Sequence, residues 1–193
     1  MFQVLAFIRY WLLQTDEHSL HSPFVFGLYN EVIRIASSNE VQTIENLRSE
    51  LLKNSQQVDL IDFGAGSRVN SSSKRTISEI AKNSSTPPKF SALLKALIDH
   101  FQYRTILELG TSLGLNTLYI SESPHVEVVT FEGDPSLAHL AQKHFSEFNR
   151  QNISLIEGNI DETLTAKVDQ LKSIDLAYID ANHRYEPSLR YYE

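Results

Sequence analysis

The second half of the chain alternates short apolar runs with stretches in which apolar residues recur at helical spacing. Such strands and helices in alternation predict right-handed crossovers and a parallel sheet. Ligands of parallel sheets bind beyond the carboxyl ends of the strands, so the residues at those ends are candidates for a site. The predicted strands are 106–109, 126–132, 152–157 and 174–180, and the helices between them are 114–122, 135–148 and 160–171.

The first part of the chain has a mainly helical pattern instead. Two helix starts are marked by a hydroxyl residue followed by proline, because proline suits the first turn of a helix. They are Ser22-Pro23 and Thr86-Pro87-Pro88. We therefore predict an N-terminal helical region over residues 1–86 and an α/β domain over 87–193. The predicted helices are 2–15, 23–36, 40–54, 74–83 and 87–102, with a short strand over 58–63.

The apolar N-terminus, residues 1–13, raises the question of a signal peptide. It has no basic leading region and no small-residue cleavage site, and Arg9 interrupts the apolar run. It is also shorter than a membrane span. The pattern therefore predicts a partly buried amphipathic helix with Trp11 on its apolar side.

Charge and cysteine content narrow the class of protein. The formal net charge of −7 over 193 residues argues against a nucleic acid or an acidic membrane as a partner bound over a broad surface. The chain has no cysteine, which excludes disulfides, thiol catalysis and thiolate-bound zinc in this sequence. That composition fits a cytoplasmic protein, and cytoplasmic localisation is our expectation.

A strand, a glycine turn and a helix follow one another around Gly110 and Gly114. Glycine lets the backbone approach a ligand closely, so this arrangement predicts a nucleotide-type binding turn. A second glycine-rich stretch, at 62–66, is followed by polar, serine-rich residues and by no acid-ended strand about 20 residues later. For that reason we predict a lid-like mobile loop over 64–75, with Lys74 and Arg75 as exposed charges.

Polar residues at the strand ends extend the candidate site. Glu132 ends the second strand 22 residues after Gly110, where an acid can accept hydrogen bonds from both hydroxyls of a ribose. The alternative is a surface acid in a Glu-Gly-Asp-Pro turn. Gly158 and Asn159 end the third strand, where an amide can pair with the edge of an adenine. Asp161 is either part of that site or an acid in the first turn of the next helix.

The pattern Glu108-x-Gly110-x-x-x-Gly114-x-x-Thr117, with Glu132, Gly158-Asn159 and Asp180 in order, resembles the class I S-adenosylmethionine-dependent methyltransferases. The resemblance covers about residues 87–193. It implies an α/β, Rossmann-like parallel sheet in the order 3-2-1-4. The leading stretch 21–26, His-Ser-Pro-Phe-Val-Phe, is similar to uncharacterised bacterial members of the superfamily. A nicotinamide dehydrogenase would more often show Gly-x-Gly-x-x-Gly, so an NAD-binding oxidoreductase is disfavoured.

The resemblance implies a role for each matching residue. The turn 110–114 would lie against the methionine part of the cofactor, with Glu108 reaching its amino group, often through water. Glu132 would bind the ribose and Asn159 would face the adenine. The implied cofactor-binding set is Glu108, Gly110, Thr111, Ser112, Gly114, Thr117, Glu132, Gly158 and Asn159.

The segment 180–186 resembles the equivalent part of small-molecule O-methyltransferases related to catechol and caffeoyl-coenzyme A methyltransferases. There the matching aspartate holds a divalent cation, so Asp180 is implied as a catalytic residue and as a ligand of a cation such as Mg²⁺. His183 is the candidate base, with packing in the loop as its alternative. For His18 and His21, three residues apart, a packing or substrate-side role is favoured over metal binding.

The sequence also departs from the family. It stops at Glu193, inside the helix expected after the fourth strand, whereas class I methyltransferases continue through strands 5–7. We expect either truncation or dimerisation, through the N-terminal helices or the exposed sheet edge. The function expected is methyl transfer from S-adenosylmethionine to a small-molecule acceptor, with oxygen as the receiving atom. The alternative is a non-catalytic S-adenosylmethionine-binding remnant.

Overall fold

The first part of the structure is built from short helices and a two-stranded ribbon. The computed structural model describes residues 2–13, 22–61, 74–182 and 185–192. In chain order, this part consists of α1 (Phe2–Leu13), α2 (Pro23–Leu28), a π-helical turn (Tyr29–Ile33), a 3-10 turn (Ala36–Asn39), α3 (Gln42–Leu51), β1 (Gln57–Asp59), β2 (Lys74–Thr76) and α4 (Ile77–Asn83).

The second part is a four-stranded parallel sheet with its connecting helices. The elements are α5 (Pro88–Phe101), β3 (Thr105–Leu109), α6 (Leu115–Ile120), β4 (Glu127–Glu132), α7 (Pro135–Glu147), β5 (Ile153–Glu157), α8 (Ile160–Val168), β6 (Leu176–Ile179) and α9 (Tyr185–Tyr192). The strands pair in the order β5-β4-β3-β6, all parallel. Counted from β3, this order is 3-2-1-4, so the predicted Rossmann-like topology is confirmed.

Different helices cover the two faces of the sheet. On one face, Leu107 and Phe131 pack with Ile160 of α8. On the other face, Ile106 and Val128 belong to a cluster that also holds residues of α5 and α6. Because side chains alternate along a strand, each strand contributes to both layers. The carboxyl ends of all four strands therefore meet at one edge, where the polar candidates lie.

The N-terminal helices are fastened to α6 by a buried polar contact. The Tyr119 hydroxyl donates to Glu45 Oε1 at 2.8 Å and accepts the Val41 N–H at 3.2 Å. Arg48 pairs with the same glutamate at 3.0 Å. Apolar residues of α3 and α4 also share a core with α6 and α7. The division of the chain at residue 86 stays a prediction.

The predicted partial burial of α1 is wrong for the residues whose side chains are described. All side chains from Phe2 to Tyr10 are exposed, Phe2 to 83% and Phe7 to 66%. The helix is apolar nearly all round, with Arg9 as the sole charge in Phe2–Leu13, so no apolar side is set off against a polar one. Among the described helices, none is long and apolar enough to cross a membrane.

The predicted single helix over 23–36 is also wrong. α2 ends at Leu28 and continues as the π-helical turn, and a separate 3-10 turn follows. In this stretch the Asn30 side chain donates to the Phe26 carbonyl at 2.9 Å. Such side-chain bonds compete with regular helical pairing.

The predicted helix over 74–83 begins three residues late. Residues 74–76 form β2, which pairs antiparallel with β1, and the helix starts at Ile77. The missed signal is a capping box, in which Thr76 Oγ1 accepts the Glu79 N–H and Glu79 Oε2 accepts the Thr76 N–H. Lys74 is exposed and pairs with Asp59 at 3.6 Å, whereas Arg75 is half-buried. The second glycine-rich stretch and most of the predicted lid-like loop lie outside the described residues.

Candidate active site

The candidate site lies where the strand order of the sheet reverses, between β3 and β6. From β3 the chain crosses over to β4 and β5 on one side, and then returns to place β6 on the other side of β3. In sheets of this kind the ligand crevice opens between the carboxyl ends of the two central strands at that switch point. Gly110 follows β3 and Asp180 follows β6, and the Asp180 N–H donates to the Leu109 carbonyl at 2.8 Å. These two residues therefore form the floor of the crevice.

The turn after β3 requires its two glycines for different reasons. Gly110 has φ +101° and faces the backbone of Asp180. Gly114 has φ +76°, and a Cβ there would lie 2.6 Å from Cε1 of Phe145 in α7. The N–H groups of Gly110 and Thr111 both donate to the Phe131 carbonyl of β4, at 3.0 and 3.1 Å. Gly110 thus allows the close approach of the backbones at the ends of β3 and β6, and Gly114 allows α6 to pack against α7.

Three polar side chains form a row across the sheet beneath α5 and α6. The strand register pairs Glu108 with Thr130 of β4 on one side and with Tyr178 of β6 on the other. Residues paired in register point to the same face, so the three side chains lie side by side. Glu108 and Thr130 are fully buried and Tyr178 is half-buried, and buried polar side chains on a sheet call for an explanation.

Glu108 is the centre of that row and has no exposed surface. Its carboxylate accepts hydrogen bonds from Thr117 Oγ1 at 2.5 Å, Thr130 Oγ1 at 2.7 Å and Asn116 Nδ2 at 2.9 Å. Burial raises the pKa of Glu108 to about 7; the three hydrogen bonds lower it, and the charge of Asp180 raises it further. The carboxylate ties β3, β4 and α6 together. Its predicted contact with the cofactor's amino group stays a prediction.

Glu132 ends β4 next to the glycine turn, and it is only 9% exposed, so it is not a surface acid. Its Oε2 accepts the Ser112 N–H at 2.7 Å and its Oε1 accepts the Asp134 N–H at 2.9 Å. Burial raises the pKa of Glu132, while these backbone donors lower it. Asp134 in turn caps α7 and accepts the Ile61 N–H at 2.5 Å. The carboxylate is thus held rigidly at the mouth of the crevice.

The end of β5 is shaped by a glycine and a helix cap. Gly158 has φ +130° and donates its N–H to the Glu132 carbonyl at 2.9 Å. Asn159 caps α8, with its Oδ1 accepting the Asp161 N–H at 3.1 Å. Asp161 lies in the first turn of α8 and pairs with Arg190 of α9 at 3.1 Å. The pairing of Asn159 with adenine stays a prediction, and the alternative for Asp161, an acid of the next helix, describes its position.

Three buried polar atoms around the switch point have no hydrogen-bond partner among the residues that the structure describes. They are Ser112 Oγ, Asn116 Oδ1 and Asn182 Oδ1. Most buried polar groups in proteins are paired, so orphaned ones need an explanation. A polar ligand in the crevice would supply donors and acceptors for them. The amino-acid and ribose groups of S-adenosylmethionine have that chemistry, and the residues present fit them.

Comparison with known proteins agrees with this geometry. A family model described as a methyltransferase domain matches residues 107–193. Residues 107–193 therefore resemble a methyltransferase domain, and the match is consistent with the class I S-adenosylmethionine-dependent methyltransferase superfamily. None of the curated protein sequences compared with the chain matches it.

Two solved structures are similar to this part of the chain in fold. The O-methyltransferase TomG from Streptomyces achromogenes, which is involved in tomaymycin synthesis and was solved with SAM, is 25% identical with a TM-score of 0.50 over 56% of this chain and 49% of its own. An O-methyltransferase from Bacillus cereus, solved with SAH, is 24% identical with a TM-score of 0.51 over 56% and 51%. The chain therefore spans about half the length of these structures.

The end of β6 and the residues that follow it are described only in part. Asp180 Oδ2 lies 3.4 Å from the Tyr178 hydroxyl, which donates to it. Within the described ranges, no group of three or more histidine, cysteine or acidic side chains is placed to hold a metal ion. The described residues therefore do not fit a cation site, and the role of Asp180 as a metal ligand stays a prediction. His18, His21 and His183 lie outside the described residues.

Several residues of the site carry a weaker sequence signal than the motifs. Thr130 and Tyr178 are polar residues at buried-face positions of apolar strands, which is the signal that could have identified them. Asn116 is one residue before the Thr117 that the pattern included. Thr86 and Asp134 reach the site through the fold, and their spacing alone could not have shown it.

Proposed function

We propose that this chain is the cofactor-binding part of an S-adenosylmethionine-dependent methyltransferase that acts on a small-molecule acceptor, with oxygen as the receiving atom. The observation that carries the proposal is the position of Glu132. Its buried carboxylate ends β4 beside the glycine turn and is held by the N–H groups of Ser112 and Asp134. A carboxylate in this place can accept hydrogen bonds from both ribose hydroxyls. The methyltransferase domain match and the O-methyltransferase neighbours support the same cofactor and reaction class.

When bound, S-adenosylmethionine would supply a methyl group activated on a sulfonium, so that an acceptor oxygen can bond to the methyl carbon as the carbon–sulfur bond breaks and the neutral thioether leaves. The protein then has to bind, align and exclude water. Alignment of reacting groups can contribute about 7–11 kcal/mol at best. A base is required only where the acceptor has to lose a proton, and His183 is the candidate for that step.

The roles follow from where each residue lies. Glu132 would hold the ribose, and the turn 110–114 would take the methionine part, with Ser112 Oγ and Asn116 Oδ1 as free polar atoms. Asp180 would face the reactive end at the switch point. We assign no step to a cation, since the described residues do not group as a cation site.

A second candidate is S-adenosylmethionine binding without transfer. The two candidates share the cofactor site and differ in whether the described chain contains an acceptor site.

Calorimetry with S-adenosylmethionine, S-adenosylhomocysteine and NAD tests the shared part. We expect binding of the first two and none of NAD; binding of NAD alone would overturn the proposal. Transfer of a labelled methyl group to a panel of hydroxylated small molecules then separates the candidates. Product formation supports the methyltransferase, whereas binding of S-adenosylmethionine without turnover of any compound in the panel supports non-catalytic binding.

Location and assembly belong to the same proposal. A cytoplasmic location is supported by the cysteine-free sequence. Dimerisation is supported by the exposed apolar side chains of α1 and by β6, which is an edge strand of the described sheet. Light scattering coupled to size exclusion would measure the mass, and a monomer at micromolar concentration would contradict the dimer.

A further inference from the structure

A tyrosine lies between the switch-point aspartate and the start of α5. The Tyr178 hydroxyl lies 3.4 Å from Asp180 Oδ2 and 3.3 Å from Thr86 Oγ1. Tyr178 and Asp180 are two residues apart on consecutive positions of the same sheet face. Both distances are longer than the range of about 2.5–3.0 Å usual for hydroxyl hydrogen bonds, as contacts in ligand-free sites often are before the ligand binds.

The direction of this chain of hydrogen bonds follows from its members. An ionised carboxylate can only accept, and a tyrosine hydroxyl has one proton to donate. With that proton given to Asp180, Tyr178 can only accept from Thr86. The order is therefore Thr86 Oγ1–H to Tyr178 Oη–H to Asp180 Oδ2. One oxygen of the aspartate is held from the protein side, and the arrangement leaves the carboxylate with a defined orientation.

The surroundings keep Tyr178 as a donor. Burial raises its pKa, and the charges of Asp180 and Glu108 raise it as well, against the hydrogen bond from Thr86. Glu108 is the register partner of Tyr178 on β3, so the hydroxyl stands close to two acids. A phenol held protonated beside two acids donates to whichever of them it reaches, and in this structure that is Asp180.

We propose that Tyr178, backed by Thr86, is a positioning residue that orients the Asp180 carboxylate toward the reactive end of the ligand in the crevice. The proposal rests on the proposed function, because it takes the ligand to be S-adenosylmethionine. It adds a role that neither the glycine turn nor Glu132 performs. The turn and Glu132 would hold the parts of the cofactor that do not react, whereas an oriented Asp180 would act on the sulfonium, which does.

We therefore expect the protein to prefer one of two ligands that differ by the methyl group and the positive charge on their sulfur atom. S-adenosylmethionine carries a positive sulfonium, and S-adenosylhomocysteine has a neutral thioether in the same place. A fixed negative charge at the switch point favours the cation, and this preference depends on the orientation of the carboxylate. The ratio of the two dissociation constants therefore measures the positioning, while a general loss of structure weakens both ligands together.

The test is calorimetry of both ligands with wild-type protein and with Tyr178→Phe, which removes only the hydroxyl. We expect the affinity for S-adenosylmethionine to fall about three- to tenfold, the effect of one hydrogen bond, while that for S-adenosylhomocysteine changes less than about twofold. Thr86→Val, which leaves Tyr178 in place, should change the ratio in the same direction by a smaller factor. Asp180→Asn sets the upper limit of the change.

Tyr119→Phe is the matched control. The hydroxyl of Tyr119 likewise donates to a carboxylate, Glu45, but Tyr119 is fully buried and packs with residues of α3. We expect it to lower stability and leave the ratio of affinities unchanged. If Tyr178→Phe does not fold, the ratio of the two dissociation constants in Thr86→Val tests the positioning role instead.

Each outcome has one meaning. An unchanged ratio in Tyr178→Phe, or an equal loss of affinity for both ligands, overturns the positioning role and leaves the proposed function standing. A change of the same size in Tyr119→Phe also overturns it, since the effect would then be general. Failure of the wild-type protein to bind either ligand overturns the proposed function and this role with it.

Discussion

Gly110 and Asp180 touch through their backbones at the centre of the site. A Cβ on Gly110 would lie 2.5 Å from the Asp180 carbonyl oxygen and 3.0 Å from its carbonyl carbon. Backbone atoms on a sheet cannot move aside as the end of a flexible side chain can. The crevice therefore has a floor of bare backbone where β3 and β6 end, which lets a ligand approach both strands closely.

Gly110→Ala should destabilise the protein by about 2–4 kcal/mol. The substitution adds the clash with Asp180 to the strain of a φ of +101°, which side-chain-bearing residues rarely adopt. Urea denaturation measures the loss, and binding of S-adenosylhomocysteine should fall with it. Gly27→Ala is the control, because among the described residues its Cβ would meet only Glu31 Oε1, at 4.0 Å. Gly27 lies in α2, where alanine is favoured over glycine by about 0.5–1 kcal/mol. Equal destabilisation by the two changes would contradict the role of the close approach.

Gly114→Ala should also destabilise, and here a second change can relieve part of the effect. The new Cβ would lie 2.6 Å from Cε1 of the buried Phe145 ring, which belongs to the core between α6 and α7. In a double-mutant cycle, Phe145→Leu makes room and should recover part of the loss, about 0.5–3 kcal/mol of coupling. The strain of a φ of +76° remains in both backgrounds. Additive effects would show that the contact does not limit the packing of α6.

The sheet was predictable because its strands and helices alternate strongly, and its order and parallel pairing agree with the prediction. The front of the chain was not. In α1, Arg9 gave little indication of which side would be polar, and the exposed side chains of the helix show that the pattern did not define a buried face. In β2, three residues with two charges pair with β1 instead of continuing α4, because the capping box at Thr76 starts the helix there.

The positions of the contiguous motifs were predictable, although their roles stay predictions. The pattern along the chain placed the glycine turn between a strand and a helix, and Glu132 at the end of the next strand. The contacts of Thr86, Tyr178 and Asp134 depend on which elements meet in space, and spacing along the chain does not contain that information. The same holds for Glu108, whose three donors come from β4 and from α6.

Glu132→Ala should weaken binding of S-adenosylhomocysteine by about 1–3 kcal/mol, through the loss of hydrogen bonds to a charged group. The change also leaves the Ser112 and Asp134 N–H groups without their acceptor, so stability should fall in parallel. Glu132→Gln separates the two effects, because it keeps one acceptor oxygen and removes the charge. Calorimetry at a temperature well below each midpoint measures binding of folded protein. An unchanged affinity in both variants would refute the ribose role.

Glu108 should make the stability of the protein depend on pH. Its pKa is about 7 in the folded state, against 4.5 as the ordinary value. Below about pH 4.5 the group is protonated in both states and its contribution is fully present. As the pH rises toward 7, the unfolded chain releases its proton first, so the folded state loses relative stability, by up to about 3 kcal/mol in total.

Glu108→Gln tests this prediction, because glutamine cannot ionise. The free energy of unfolding of this variant, relative to wild type, should rise between about pH 4.5 and 8. The substitution also alters the hydrogen bonds to Thr117 and Thr130, which shifts the difference in stability by the same amount at every pH. Urea midpoints at closely spaced pH values measure the difference. Glu132 contributes a slope of the same sign, since burial raises its pKa too, but that slope is present in both proteins and cancels. Glu50→Gln, at an exposed position of α3, is the control for loss of one charge. A difference between Glu108→Gln and wild type that stays constant with pH would contradict the burial of an ionisable carboxylate at the centre of the row.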